Sequence, residues 1–238
     1  MLSRSKRTKL EQAIRSFRLT HLSALPSTFD ERIARHRTIA FLSDVLGFVP
    51  VSDIRSEARM RGPADLALLV RGERHVLVGM RRPGVTSREE QTARILRFAV
   101  IEGIDWLLFV EGGLVILYRV KYEGQGAMRE VFTVDLSETM GVNTATQMLQ
   151  FMQKDVVSRN GLELLWNRTI ALDPENLAAL LCSSPVVNYL QRTLRTRAMS
   201  NFTEDEVMGS VKRVLMDGIR PECVGADALG GAPTTAVS

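Results

Sequence analysis

The chain has 238 residues, 45% hydrophobic and 24% charged, the balance of a globular protein that lives in water. No apolar run approaches the roughly 20 residues that span a bilayer, and the basic stretch Met1 to Lys9 leads into an amphipathic segment where a secretory signal needs a continuous apolar one. Cys182 and Cys223 stand too far apart for a disulfide scaffold or a zinc cluster, so a reducing cytoplasm is expected, and the net charge of +4 permits nucleic-acid binding without requiring it.

In chain order, Leu10, Ile14 and Phe17 mark a short amphipathic helix near 8–20. Thr28 with Glu31 forms a capping box that opens a helix near 28–46, closed at Gly47. Strand patterns follow at 53–60, 64–70 and 75–81, and the turn Arg71-Gly72-Glu73-Arg74 makes the last two an antiparallel hairpin. Ser87 with Glu90 caps a helix over 87–102. A strand at 104–110, the turn Glu111-Gly112-Gly113, a strand at 114–122 and another near 130–135 extend the sheet.

From Ser137 onward the spacing is helical, near 143–157, 160–168, 174–182, 184–197 and 203–217. Asp173-Pro174 sets a cap residue before an N1 proline, and Thr203 with Glu206 repeats the capping box. The tail Gly225–Ser238 has a disordered composition. The expected fold is α/β: a mixed sheet flanked by helices, followed by an α-helical region. Its expected parts are a basic segment and short helix at 1–27, an α/β core at 28–136, a helical region at 137–220 and a tail at 221–238.

Cleaving a phosphodiester with a metal ion needs carboxylates that converge on Mg²⁺ and a group that positions a water. One solution sets an Asp at the start of one hairpin strand and a Glu and a Lys two residues apart on the next, where the period of two points both to one face. Here Pro63-Ala64-Asp65 begins one strand, and its partner offers Gly79 and Arg81 at the two positions beside Asp65.

With these residues the chain resembles the N-terminal domain of type I restriction enzyme R subunits, a branch of the PD-(D/E)XK nuclease superfamily. That pattern has a helix bearing an acid, a short strand with a Glu, a D-x-A-L-L strand, an I-E-x-K strand, a helix opened near a Gln, and a later hairpin. The matching segments are Glu31, Glu57, Asp65-Leu-Ala-Leu-Leu69, Val78-Gly-Met-Arg81, Gln91 with Leu96-Arg-Phe-Ala99, and Gly103-Ile-Asp-Trp106 through Leu117-Tyr118-Arg119-Val120. The similarity covers roughly 28–135 in order and spacing, with no single motif complete. Leu180-Leu-Cys-Ser-Ser-Pro185 and Phe202-Thr-Glu-Asp-Glu-Val207 also look like the tail of small stand-alone relatives. The resemblance implies a restriction-endonuclease-like core with Asp65, Gly79, Arg81 and Gln91 at the site.

The departures decide what that site does. Gly79 offers no metal ligand where the family has Glu, and Arg81 stays protonated where the family has Lys. Asp65 alone binds Mg²⁺ poorly. Arg81 is placed to pair with Asp65 in a bidentate contact, setting a fixed cation where a metal would sit. On an intact scaffold, Gly79→Glu with Arg81→Lys is expected to restore metal binding.

Each residue also has a plainer reading. Glu31 serves as a capping residue, Gly79 marks a close backbone approach, and Gln91 is a first-turn helix residue. Trp106, Phe109, Leu117 and Tyr118 read as sheet core. His21, His36 and His75 are dispersed and receive no metal role. Arg81, Arg82 and Arg88, with Arg94 and Arg97 behind them, are the expected phosphate contacts, while Arg192, Arg195 and Arg197 favour a helix C-terminus in any case.

Three functions follow as expectations. The first is a catalytically degenerate nuclease-fold protein that binds nucleic acid, DNA foremost, or organises a complex on it, without a cofactor. The second is a self-associating scaffold without DNA affinity, using apolar candidates such as Met148, Met152, Leu162 and Leu165. The third is an active Mg²⁺-dependent endonuclease whose metal ligands have migrated to Glu31, Glu57 and Asp65. The sequence shows no helicase motif, so the translocating part of an R subunit has no counterpart here.

Overall fold

The computed structural model describes residues 3–23, 30–57, 64–80, 88–122, 126–138 and 141–217. Its centre is a hairpin. Arg71 and Gly72 take φ of 54° and 85°, the paired left-handed conformations of a type I′ turn, which matches the twist of the strands it joins. These two residues connect β2 (Leu66–Val70) to β3 (Glu73–Met80). The expected four-residue turn is therefore shorter, because Glu73 and Arg74 already belong to β3. Leu66 pairs with Val78 and Leu68 with Val76, and a register shift then brings Leu69 opposite Arg74.

On one side of the hairpin, β1 (Ile54–Ser56) pairs antiparallel with β2. On the other, the chain crosses over through α3 (Arg88–Glu102) to β4 (Trp106–Glu111), which runs parallel to β3 with Gly79 opposite Phe109. Gly103, at φ 68°, turns the chain out of α3, and the Ile104 amide donates to the Ala99 carbonyl at 2.8 Å, a glycine stop at a helix C-terminus. β5 (Leu114–Lys121) and β6 (Ala127–Asp135) add antiparallel hairpins. Six described strands thus lie in one sheet in chain order. The mixed sheet flanked by helices is the architecture the alternating patterns called for.

Both faces of this sheet are covered, which is why β2, β3 and β4 read as nearly continuous apolar runs. One face, carrying Leu66, Leu68, Val78, Trp106 and Leu108, packs against α1 (Arg4–Phe17), α4 (Val142–Leu149) and α6 (Gly161–Ala171). The other, carrying Ala67, Leu77, Leu107 and Phe109, packs against Ile95 and Ala99 of α3.

The helices depart from expectation in their ends. The first begins earlier, at Arg4, capped by the Ser3 side chain, and continues into a π-helical turn, Arg18–Leu22. α2 (Glu31–Ala40) is capped by Asp30, whose carboxylate accepts from the Arg32 and Ile33 amides, before a second π-helical turn, Phe41–Val45. Thr28 and Ser87, expected as caps, lie outside the described residues. Asp30 fills the role given to Thr28, and Glu31 is thereby the first helical residue. The helix expected over 143–157 is two: α4 and the single turn α5 (Lys154–Val157).

The chain divides into two compact units, Met1–Thr169 and Ile170–Ser238. In the first, Met152, Leu162 and Leu165 are buried and Met148 packs against the same core, so these residues form no self-association surface. The second contains α7 (Pro174–Leu181), α8 (Ser184–Ala198) and α9 (Glu204–Asp217). Asp173 caps α7 by accepting from the Glu175 amide. Thr203 and Glu206 form the expected reciprocal box, with the Thr203 amide donating to Glu206 Oε2 at 2.7 Å. No described helix is long and apolar enough to cross a membrane.

Candidate functional site

The register brings three of the expected positions into one row across the sheet. Ser56 pairs with Leu66, so the next step sets Glu57 opposite Asp65, and the Glu57 amide donates to the Asp65 carbonyl at 3.2 Å. Leu66 pairs with Val78, so Asp65 in turn stands opposite Gly79, with the Asp65 amide donating to the Val78 carbonyl at 3.1 Å. Two carboxylates and a glycine therefore lie side by side. What each side chain touches determines whether the row can hold a metal.

Asp65 completes the hairpin ladder. The ordered pairing of β2 starts at Leu66, and the Met80 amide donates to Asp65 Oδ2 at 2.6 Å. The carboxylate thus supplies an acceptor for a backbone N–H at the end of the ladder, where leaving it unmet would be costly. Burial pushes the Asp65 carboxyl above its usual range; the Met80 hydrogen bond pulls against this, the nearby charge of Glu31 adds to it, and Arg35 opposes it. Arg35 itself donates to Ser56 Oγ at 2.7 Å. An open hollow of about 470 Å³, lined by Asp30, Glu31, Arg32 and Arg35, lies on this helix.

Glu57 is fully buried and committed to Arg74. The guanidinium grips it in bidentate fashion, Nε to Oε1 at 2.9 Å and Nη2 to Oε2 at 3.2 Å, the strongest geometry for an arginine–carboxylate pair. Arg74 also reaches Glu102 at 3.2 Å and lies over the Phe98 ring at 5.9 Å. The Glu57 hydrogen bond holds the guanidinium still more firmly protonated. Both oxygens of this carboxylate are turned to a permanent cation, which leaves Glu57 unfit as a migrated metal ligand.

Gly79 is a packing glycine. A Cβ there would lie 2.7 Å from Phe109 Cε1, 2.8 Å from Cδ1 and 3.0 Å from Ile95 Cδ1. Phe109 is itself fully buried and meets Tyr118 edge to face at 5.7 Å, so its ring has little freedom to retreat. Any larger side chain at this position must displace the ring. The aromatic ring from β4 crowds the point where the side chain of Gly79→Glu would start, which sets a packing cost against the expected rescue by Gly79→Glu with Arg81→Lys.

Gln91, in the first turn of α3, donates to the Met80 carbonyl at 3.4 Å, and so sits beside the end of β3. Arg81 and Arg82 lie outside the described residues, as does the side chain of Arg88, and the expected Arg81–Asp65 pair falls there too. Arg94 and Arg97 are exposed on α3. Glu31 is exposed at the start of α2. His21 and His36, expected to be dispersed, bring their rings to 6.0 Å, while His75 lies elsewhere, on β3. Among the described residues no group of three His, Cys, Asp or Glu side chains could hold a metal ion. In the row at Asp65 one carboxylate accepts from a ladder amide, one is held by arginine, and the third position is packed against Phe109.

Sequence reasoning missed Arg74 and Phe109, the two residues that close the row. Arg74 reads locally as a turn residue, and Phe109 as plain core; no local signal names the partner of either. Compared with family models, with curated proteins and with solved structures, the chain matches none of them.

Proposed function

We propose that this chain is a non-catalytic protein with a nuclease-type α/β core that binds nucleic acid, DNA foremost, through its phosphates. The observation that carries the reading is the closed position at Gly79, where Phe109 stands in the space of a metal-binding side chain. A scaffold that sets Asp65, Gly79 and Gln91 in the order of a nuclease site, yet fills the ligand position with an aromatic ring, is suited to holding a shape and not to cleaving a bond. Glu57 supports the same conclusion, since Arg74 neutralises it.

Binding is supported by charge. Beyond the net +4, α1 presents Arg4, Lys6, Arg7 and Lys9 as exposed cations within two turns, with Glu11 its only acid. Lys6 is engaged with Asp155 and Arg7 with Asn143, contacts that exposed side chains exchange readily for phosphate. Arg81 and Arg82 directly follow β3 in the sequence. Phosphate contacts of this kind give affinity without base readout.

Fluorescence anisotropy of a labelled duplex titrated with protein at several salt concentrations tests the reading. Binding that weakens linearly on a log–log plot against salt is expected, together with no cleavage in Mg²⁺ or Mn²⁺. Absence of binding at low salt overturns the binding half; metal-dependent nicking abolished by Asp65→Ala overturns the non-catalytic half.

A further inference from the structure

The second unit, described over Ile170–Asp217, leaves many of its large apolar side chains exposed. Of its large apolar side chains only Val187 and Val207 are buried. Ten of the seventeen exposed large apolar side chains among the described residues lie between Leu172 and Met216. They are ordered along the helices. Leu177, Leu180 and Leu181 recur at three- and four-residue spacing on α7, which has no buried residue at all. On α9 the stripe begun by buried Val207 runs out into exposed Val214 and Leu215. On α8, Tyr189 is 65% exposed, and Met199, which follows the helix, is 94% exposed.

An isolated apolar side chain at a surface needs no explanation, but a periodic set does. From ordinary side-chain areas, these ten leave roughly 1,000 Å² open in total, summed over three helices and their flanks. A specific interface takes about 800 Å² from each partner. Val187 and Val207 are the fully buried large apolar side chains among its described residues, with Val186, Leu190, Phe202, Met208 and Val211 half-buried, a small core for three helices. A cover over the exposed stripes would enlarge it, and the charges indicate which.

α8 contains no acid and ends on Arg192, Arg195 and Arg197; α9 opens with Glu204, Asp205 and Glu206. The two patches flank one short connection, and the Gln191 side chain ties α8 to the Phe202 carbonyl at 2.6 Å. Glu206 is engaged in its capping box, while Glu204 and Asp205 are exposed. A nucleic acid approaching the arginines would meet these carboxylates. A second copy of the chain carries both patches, and a twofold axis placed between them sets each patch on its opposite.

We propose that the chain self-associates through this unit. Two copies pack hairpin on hairpin about a twofold axis, covering the Leu177, Leu180 and Leu181 face and the open end of the α9 stripe. The same packing sets Arg195 and Arg197 of each copy against Glu204 and Asp205 of the other.

The test is sedimentation velocity of the full chain, free of nucleic acid, over a hundredfold concentration range. A monomer–dimer equilibrium is expected. Leu180→Glu with Leu181→Glu is expected to weaken it at least tenfold while circular dichroism shows unchanged helix content, both side chains being exposed. Arg195→Glu with Arg197→Glu, and separately Glu204→Lys with Asp205→Lys, are each expected to be monomeric alone. Mixed, these two variants are expected to form heterodimers, since every charge then faces its opposite. A chain that stays monomeric throughout overturns the proposal, as does a dimer indifferent to the α7 substitutions or charge variants that fail to pair on mixing.

Discussion

The Cβ that Gly79 lacks would lie 2.7 Å from Cε1 of Phe109, so the glycine on β3 and the aromatic ring on β4 form one packing unit. Gly79→Ala is expected to destabilise the fold by about 1–3 kcal/mol, the usual cost of overpacking a filled core. Gly79→Ala combined with Phe109→Leu is expected to recover part of that loss, read as the coupling term of a double-mutant cycle in urea. Strict additivity of the two substitutions would show that the ring and the glycine are independent.

Metal binding follows from the same contact. Gly79→Glu with Arg81→Lys is expected to show no heat of Mg²⁺ or Mn²⁺ binding in calorimetry, because Phe109 blocks the first atom of the new side chain. Uptake by that double variant would mean that the ring yields and the site is open.

Arg74→Met would strand the fully buried Glu57 carboxylate without its cation. Removing one member of a buried pair costs about 3–5 kcal/mol, whereas replacing both by apolar residues of similar volume is nearly neutral. Arg74→Met with Glu57→Leu is thus expected to be more stable than Arg74→Met alone in chemical denaturation. Equal stability of the single and double variants would argue that Arg74 contributes little beyond its exposed contact with Glu102.

Asp65 gives a pH signature of known sign. Its folded-state pKa is raised chiefly by burial, so the fold favours the neutral carboxyl. The associated stability is fully present below the pKa of the unfolded chain and is lost as pH rises through the folded value. At neutral pH the ionised carboxylate opposes folding. Asp65→Asn keeps an acceptor for the Met80 amide but cannot ionise. The variant is therefore expected to be at least as stable as the parent at pH 7, with the difference shrinking as pH falls into the carboxylate range. Urea midpoints across that range provide the measurement; a variant clearly less stable at pH 7 would give the ionised carboxylate a favourable partner in the fold.

If α1 carries phosphate contacts, Arg4→Ala with Lys9→Ala should flatten the salt dependence of duplex binding. Each lost phosphate contact removes about 0.9 from the slope of log K against log salt. A duplex affinity with an unchanged slope would place the contacts elsewhere on the chain.

Much of this could be read locally. The alternation and apolar runs of 64–70, 75–81, 104–110 and 114–122 carry the strands, because burial on one or both faces leaves a period that needs no partner to be seen. Asp173 before Pro174 and Thr203 with Glu206 carry their caps for the same reason: a cap is a contact between residues a few positions apart. The start of α2 was read at Thr28 and lies at Asp30, because both residue types can accept from helix amides and nothing local separates them.

The site divides along the same line. That Gly79 and Arg81 stand where the resemblance expects a Glu and a Lys is legible in the chain itself. That the gap is filled is not. The crossover through α3 lays β4 beside β3 and carries Phe109 to Gly79, and the β1–β2–β3 arrangement delivers Arg74 to Glu57. These meetings depend on strand order and register, which are set by the packing of the whole core and have no expression in the few residues around either partner. The sequence by itself determined the α/β class and the hairpin; only the tertiary structure decided that the space beside Gly79 is filled by an aromatic ring and that the neighbouring Glu57 carboxylate is held by Arg74.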